Sequence, residues 1–328
     1  MAQLAILLAL SIITRILVFN PNGAYFFPDE GRYADLVSSL SADNPRAKEV
    51  FHKEIFLLDG RPGFGIFYLP ALTFGGTTIA LAENIIINIL IILLIYLIAK
   101  RLKGEKIALA ASLVAIFSLP LLVYVRHLLP YDAALFLILL GIYLWLVSKS
   151  NFVFGLFLGL SFLVYPGHFY YFLPIPLLLV FHHRSVIPAL KFCLGFAFVI
   201  IATEFMTVAL GAHSYITSLR GLSGTVTQGD FVFAPVFIID YIASNGGIMS
   251  LVLALVASLA LALKSRQKEY RILAVYLLLM LLIFEVFSHI LTSTVLYGRT
   301  VRPFYVLLIL TGSASLFEQT YLPRLSLR

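Results

Sequence analysis

Asp29 and Glu30 stand side by side in a polar stretch between apolar runs, and arginines recur in comparable places at Arg61, Arg126, Arg299 and Arg302. A carboxylate can take the proton of a hydroxyl, and a guanidinium presents a planar fork that matches phosphate oxygens. Together they suit transfer of a sugar from a lipid-linked phosphate: the base activates an acceptor hydroxyl while cations stabilise the departing phosphate. The carboxylate pair also has a plainer reading. Pro28 fits a helix start, and acidic residues in a first turn are favoured by the helix dipole. No Walker loop, dinucleotide fingerprint or metal-ligand spacing occurs, so neither a cofactor nor a metal is expected, and the donor is expected to be a lipid phosphate rather than a nucleotide.

Further ionisable residues fall inside apolar runs, where they are costly and usually functional. Arg15 lies near the end of the first run and Glu204 in the outer third of its own. Asp240 opens another, and Glu285 and His289 form an i, i+4 pair. With His127, Asp132 and His168, these groups share the outer half of the expected spans, which implies a cavity open to one face. A proton or ion path would instead string such groups across the full depth. Arg15 reads equally as a snorkelling anchor or a site residue, and Glu204 and Glu285 as buried structural partners or substrate contacts. His182-His183-Arg184 reads as a solvated turn and Cys193 as a small packing residue.

The elements that must hold these residues are written in the composition. Of 328 residues, 61% are hydrophobic and only 12% charged, with a mean hydropathy of +1.01, far from a soluble domain. Apolar runs at 2–19, 83–99, 107–125, 131–148, 152–165, 168–181, 186–210, 236–263, 272–291 and 303–317 predict an all-α polytopic membrane protein of about ten spans. They are continuously apolar and lack the alternation of barrel strands. The first run has no basic flank or cleavage site, so it reads as a retained span.

Basic residues gather in alternate short loops: Lys100, Arg101, Lys103 and Lys106; Lys149; Arg184 and Lys191; then Lys264, Arg266, Lys268 and Arg271. The positive-inside rule therefore places both termini in the cytoplasm and the loop 20–82 outside. This distribution accounts for the +7 net charge without nucleic acid as a partner. Residues 63–80 are apolar but interrupted by Pro70 and Gly75-Gly76, and read as a juxtamembrane or partly inserted helix. Residues 29–40 read as an interfacial amphipathic helix with Tyr33, Leu36, Val37 and Leu40 on one face. The Gly155–Gly159 pair fits a small-xxx-small helix contact.

In its order of segments the chain resembles the GT-C superfamily, specifically glycosyltransferase family 39 and its relatives, the protein O-mannosyltransferases and the aminoarabinose transferase of lipid A. Those proteins carry an arginine near the end of the first span and an Asp-Glu opening the first external loop, followed by Tyr. Here stand Arg15 and then Phe27-Pro28-Asp29-Glu30-Gly31-Arg32-Tyr33. Arg61-Pro62-Gly63-Phe64 is similar to their Lys-Pro-Pro-like stretch, and Arg126-His127-Leu128-Leu129-Pro130-Tyr131-Asp132-Ala133-Ala134-Leu135 to their Ser-Arg…Pro-Asp-Ala-Leu pattern. The likeness covers roughly residues 1–181 and returns at Arg302-Pro303-Phe304-Tyr305.

The resemblance implies an inverting, metal-independent transferase using a polyprenyl-phosphate sugar, in a single transmembrane domain over 1–328. Residues 1–181, including the external loop 20–82, would form the GT-C-like core, and 182–328 would be variable spans. Asp29 and Glu30 would be catalytic, Asp29 as general base. Arg61 and Arg302, with Arg299, would hold the donor phosphate. Arg15, Tyr33, Arg126, Asp132 and His168 would be further candidates, His168 standing where the family has Lys-Gly-Pro. The acceptor would be a glycan, lipid or protein, and the site would face outward from the plasma membrane. The alternatives are a polytopic transporter or lipid flippase without chemistry, which should show an internal repeat or charged segments reaching the cytoplasmic half, and an inactive relative acting as a scaffold.

Overall fold

Residues such as Ile91, Ile92, Ile95 and Ile98 have no polar side-chain atom to satisfy, so the economical way to bury their backbone is an α-helix, whose hydrogen bonds close within the segment. A computed structural model describes residues 2–19, 62–118, 129–209 and 271–280, with single positions or short groups at 121–122, 125, 127, 214–217, 219, 306–307 and 309–310. Among these residues there are helices and no strand. In chain order they are α1 (Ala2–Val18), α2 (Pro62–Lys103), α3 (Glu105–Ile116), α4 (Tyr131–Ser148), α5 (Asn151–Val164), a 3-10 helix (Pro166–Tyr171), α6 (Pro174–His183), α7 (Ile187–Ala209) and α8 (Arg271–Met280). Three of the helical stretches are long and apolar enough to cross a membrane: Thr78–Lys103, Tyr131–Ser148 and Ile187–Ala209.

Several expected boundaries change. Pro70 and the Gly75-Gly76 pair lie within the 42 helical residues of α2, but this element is not straight: the Tyr68 hydroxyl meets Asn84 Oδ1 at 2.9 Å, sixteen residues on, where a straight helix would hold the two Cα atoms about 24 Å apart. The first turns of α2 therefore fold back beside the segment that begins at Thr78, and the bend falls between Tyr68 and Asn84, the stretch that holds Pro70 and Gly75-Gly76. The run 107–125 is helical only as far as Ile116 in its first piece. A proline has no N–H, so Pro120 cannot donate to the Ile116 carbonyl four residues earlier, and α3 goes no further. The run 168–181 is divided between the 3-10 helix and α6, with Pro166 and Pro174 opening the two pieces. The runs at 236–263, 281–291 and most of 303–317 lie outside the described residues.

Tight connections turn the helices back on themselves. Lys149 (φ 57°) and Arg184 (φ 51°) take the left-handed conformation just past α4 and α6. The Ser150 hydroxyl then accepts from the Val153 N–H to start α5. Between α2 and α3, Gly104 has φ 92°, a value that favours glycine. There Glu105 pairs with Lys100 at 2.6 Å and accepts a hydrogen bond from the Tyr96 hydroxyl. The Lys100 ammonium, and secondarily the tyrosine, hold the Glu105 carboxyl below its usual range.

α4 is the hub: Ala133, Ala134, Leu135, Leu137, Ile138 and Leu139 are all buried, with α2 and α5 against it. α7 is attached through α5 at a close crossing. A Cβ at Gly155 would collide with the Phe192 carbonyl oxygen, and one at Gly195 with that of Phe152; a Cβ at Gly159 would stand 3.0 Å from Val199. The expected small-residue contact at 155 and 159 is thus real, with Gly195 as its counterpart. The rest of α7 offers an exposed apolar stripe (Leu190, Leu194, Phe198, Ile201, Phe205) of the kind lipid or further helices cover.

Replacing Gly155 or Gly195 with Val forces these backbones apart and should cost about 1–3 kcal/mol as an overpacked contact. Thermal unfolding of the purified protein in detergent should show a clear fall for either variant. Unfolding at the wild-type temperature for both would mean that the α5–α7 crossing is looser than described.

Candidate functional site

Where α3 gives out, the described residues between Phe117 and Pro130 offer backbone carbonyls that no long helix satisfies, at the end of the bundle where α1 finishes and α4 begins. Unmet carbonyls in an apolar interior are costly, so other elements must supply donors. α2 does so with two asparagines one turn apart. Asn84 Nδ2 donates to the carbonyls of Val125 (3.1 Å) and His127 (3.0 Å), while its Oδ1 accepts from the Tyr68 hydroxyl (2.9 Å). Asn88 Nδ2 donates to the Leu121 carbonyl (3.2 Å) and to Asp132 Oδ2 (3.3 Å).

α1 contributes Arg15, which has no exposed surface at all. Its Nε donates to Asn88 Oδ1 (2.9 Å), and its Nη1 to the Thr14 hydroxyl (2.9 Å) and the Ile116 carbonyl (2.8 Å). That last bond replaces the one Pro120 cannot make. A snorkelling residue would carry its head to the surface; this one is turned inward, which removes that reading. Asp132, in the first turn of α4, is 1% exposed. A guanidinium and a carboxylate are thus buried on either side of one carboxamide. Desolvating each costs several kcal/mol, which only directed hydrogen bonds of this kind offset.

An aromatic series continues from the neighbouring residue. The Tyr131 ring meets Tyr165 edge-on (centroids 4.7 Å apart), Tyr165 meets His168 (4.8 Å), and His168 meets Tyr171 (5.6 Å). His168 is fully buried on the 3-10 helix. Tyr276, from α8, donates to the Tyr171 carbonyl at 2.9 Å and ties that distant helix to the same end. Gly63, in the first turn of α2, lies so near Leu163 and Val164 that a Cβ would stand 2.6 Å from the Val164 nitrogen. The start of α2 therefore rests against the end of α5, beside the 3-10 helix. Below it, α4, α5, α6 and α8 line an open apolar cleft that includes Ile138, Trp145, Leu158, Ile175, Ile272 and Tyr276.

Of the residues singled out from sequence, Arg15 and Asp132 are joined through Asn88, and His168 stands at the same end along the aromatic series. Glu204 acts locally: its Oε2 accepts from the Ile216 N–H at 3.0 Å, beyond the end of α7. Asp29, Glu30, Tyr33, Arg61, Arg126, Arg299 and Arg302 lie outside the described residues, as do Asp240, Glu285 and His289. Asn84, Asn88 and Tyr68 do not stand out in the sequence when only ionisable groups are counted. The available signal is two asparagines at i, i+4 in an otherwise apolar run, which puts both amides on one helix face.

Substituting Asn84 with Leu removes the donor to two carbonyls and should destabilise by about 1–3 kcal/mol for each one left unmet. Tyr68→Phe should cost less, about 0.5–1.5 kcal/mol. Because the two residues share a bond, the double variant should lose less than the sum. Thermal unfolding in detergent checks this, and strict additivity would refute the shared bond.

No protein-family model matches this sequence, and no curated protein is significantly similar to it, so the functional reading rests on the residues and their arrangement.

Proposed function

We propose that this protein is a membrane glycosyltransferase that moves a sugar from a polyprenyl-phosphate donor to an acceptor hydroxyl, with inversion. One observation carries the reading: Arg15, His127, Asp132 and His168, the buried charged and histidine side chains among the described residues, gather at one end of the bundle. Their mutual arrangement supports chemistry at one face over a path through the protein, which a transporter would need. That end is also where α1 leads, within fourteen residues of sequence, to the carboxylate pair Asp29-Glu30.

In this reading Asp29 takes the acceptor's proton as the new glycosidic bond forms, with Glu30 beside it. The bond from the sugar's anomeric carbon to the phosphate oxygen breaks, and the charge left on the phosphate is met by Arg61 and Arg302, assisted by Arg299. A lipid donor accounts for an enzyme built of apolar helices, and the apolar cleft beside Tyr276 suits hydrocarbon rather than water. The basic loops support a topology of about ten spans with both termini cytoplasmic and the site on the external face of the plasma membrane. Glycan, lipid and protein hydroxyls are the acceptor classes to test.

The experiment is transfer from radiolabelled polyprenyl-phosphate sugars to a panel of such acceptors, by purified wild-type protein and Asp29→Asn. Loss of a general base should slow transfer by about 10²–10⁴-fold, with thermal unfolding unchanged because the substitution is nearly isosteric. Full activity in Asp29→Asn would remove the assignment of the base. No transfer by the wild type from any donor would remove the reading altogether.

A further inference from the structure

The Asn88 carboxamide is the one group among the described residues that touches both a buried cation and a buried anion: Arg15 Nε at 2.9 Å and Asp132 Oδ2 at 3.3 Å. Its polarity is not interchangeable. The oxygen can only accept, which suits the guanidinium, and the nitrogen can only donate, which suits the carboxylate and the Leu121 carbonyl at 3.2 Å. A leucine would fill the volume but leave these three bonds unmade; an aspartate would keep the bond to Arg15 and set a second negative charge against Asp132. A packing role needs none of this orientation. The same amide is also built into α2, whose neighbouring turn clamps Val125 and His127 through Asn84. Asn88 therefore sets where the Asp132 carboxylate stands relative to a rigid helix.

We propose that Asn88 is a positioning residue for the transfer reaction: by accepting from Arg15 and donating to the Asp132 carboxylate, it fixes both side chains against α2, so that they keep one separation at the end of the bundle where the reaction is placed. The inference rests on the transferase reading above, and it goes beyond it by naming a residue that touches no substrate.

Three full-length variants separate positioning from structure. Asn88→Asp should lower the unfolding temperature and reduce kcat on the order of tenfold or more, the usual scale for a supporting partner of a site residue, with KM for the lipid donor within about twofold because the phosphate ligands are unaltered. Asp132→Asn should lower kcat in the same manner. The exchange variant Asn88→Asp/Asp132→Asn restores an amide facing a carboxylate and the original net charge. It should recover much of the unfolding temperature lost in Asn88→Asp, yet its kcat should stay low because the carboxylate has moved to α2. An exchange variant that recovers kcat in full would show that only packing and charge count matter, and would overturn the proposal. So would wild-type kcat in Asn88→Asp, or a loss confined to KM. If the wild type transfers no sugar, the transferase reading falls and the positioning role with it; an active wild type with any of the other adverse results overturns this inference alone.

Discussion

A helix that stops inside an apolar bundle leaves carbonyl oxygens with no water to turn to, and the architecture around residues 117–130 follows from that constraint. Pro120 deprives the Ile116 carbonyl of its ordinary partner, and Arg15 supplies one from another helix at 2.8 Å. The next carbonyls along, Leu121, Val125 and His127, are met by Asn88 and Asn84. Each donor must come from a fixed height on a neighbouring helix, so the break in α3 sets the register of α1 and α2. An apolar contact tolerates sliding by a few tenths of an ångström; a carboxamide bonded on both sides does not.

Burying Arg15 and Asp132 adds electrostatic demand to the same region. The guanidinium spends its directed bonds on Asn88, Thr14 and Ile116, and Asp132 meets the amide of Asn88 at the start of α4. Opposite charges buried around one shared amide contribute little net stability once desolvation is counted, but removal of either leaves the other without its counterpart in an apolar setting. Such groups specify an arrangement more than they strengthen it. The opposite end of the bundle is ordinary by comparison: Lys100 and Glu105 pair in a half-exposed setting where an ion pair contributes little.

Where the sequence was legible, one local signal dominated. The run 131–148 is a helix from Tyr131 to Ser148 because a proline precedes it and none lies within it. The Gly155–Gly159 pair announced a close crossing, although Gly195, its partner, is separated by a whole helix and carries no spacing of its own to betray it. Hydropathy misjudged the ends of 107–125 and 168–181, since an apolar residue scores alike in a helix, a 3-10 turn or an irregular stretch. Pro70 and Gly75-Gly76 mark a real departure from a straight helix, which the bond between Tyr68 and Asn84 requires. Helical backbone is kept through the bend, so hydropathy alone does not separate one bent helix from two. At the site, Arg15, Asp132 and His168 were visible as costly residues in apolar runs. The asparagines that organise them were not, because an amide carries no charge and its importance lies in which carbonyls it meets across 33 to 43 residues of sequence.

The asymmetry of the polar interior bears on mechanism through elementary electrostatics. A charge crossing the hydrocarbon region is stabilised only while polar groups accompany it, so a conducting or carrying protein needs them along the whole route. Among the described residues, the buried charged and histidine side chains gather instead at the end of the bundle where α3 breaks off, and α4 below Asp132 presents Ala133, Leu135, Ile138 and Leu139. Such a wall resists passage of an ion while leaving apolar space beside Tyr171 and Tyr276. A reaction whose charges develop at one face and whose reactant is anchored by hydrocarbon is compatible with both features. In the proposed transfer, the polar cluster would supply orientation for the reacting groups, and the apolar helices a medium in which a lipid donor stays bound while its headgroup is released.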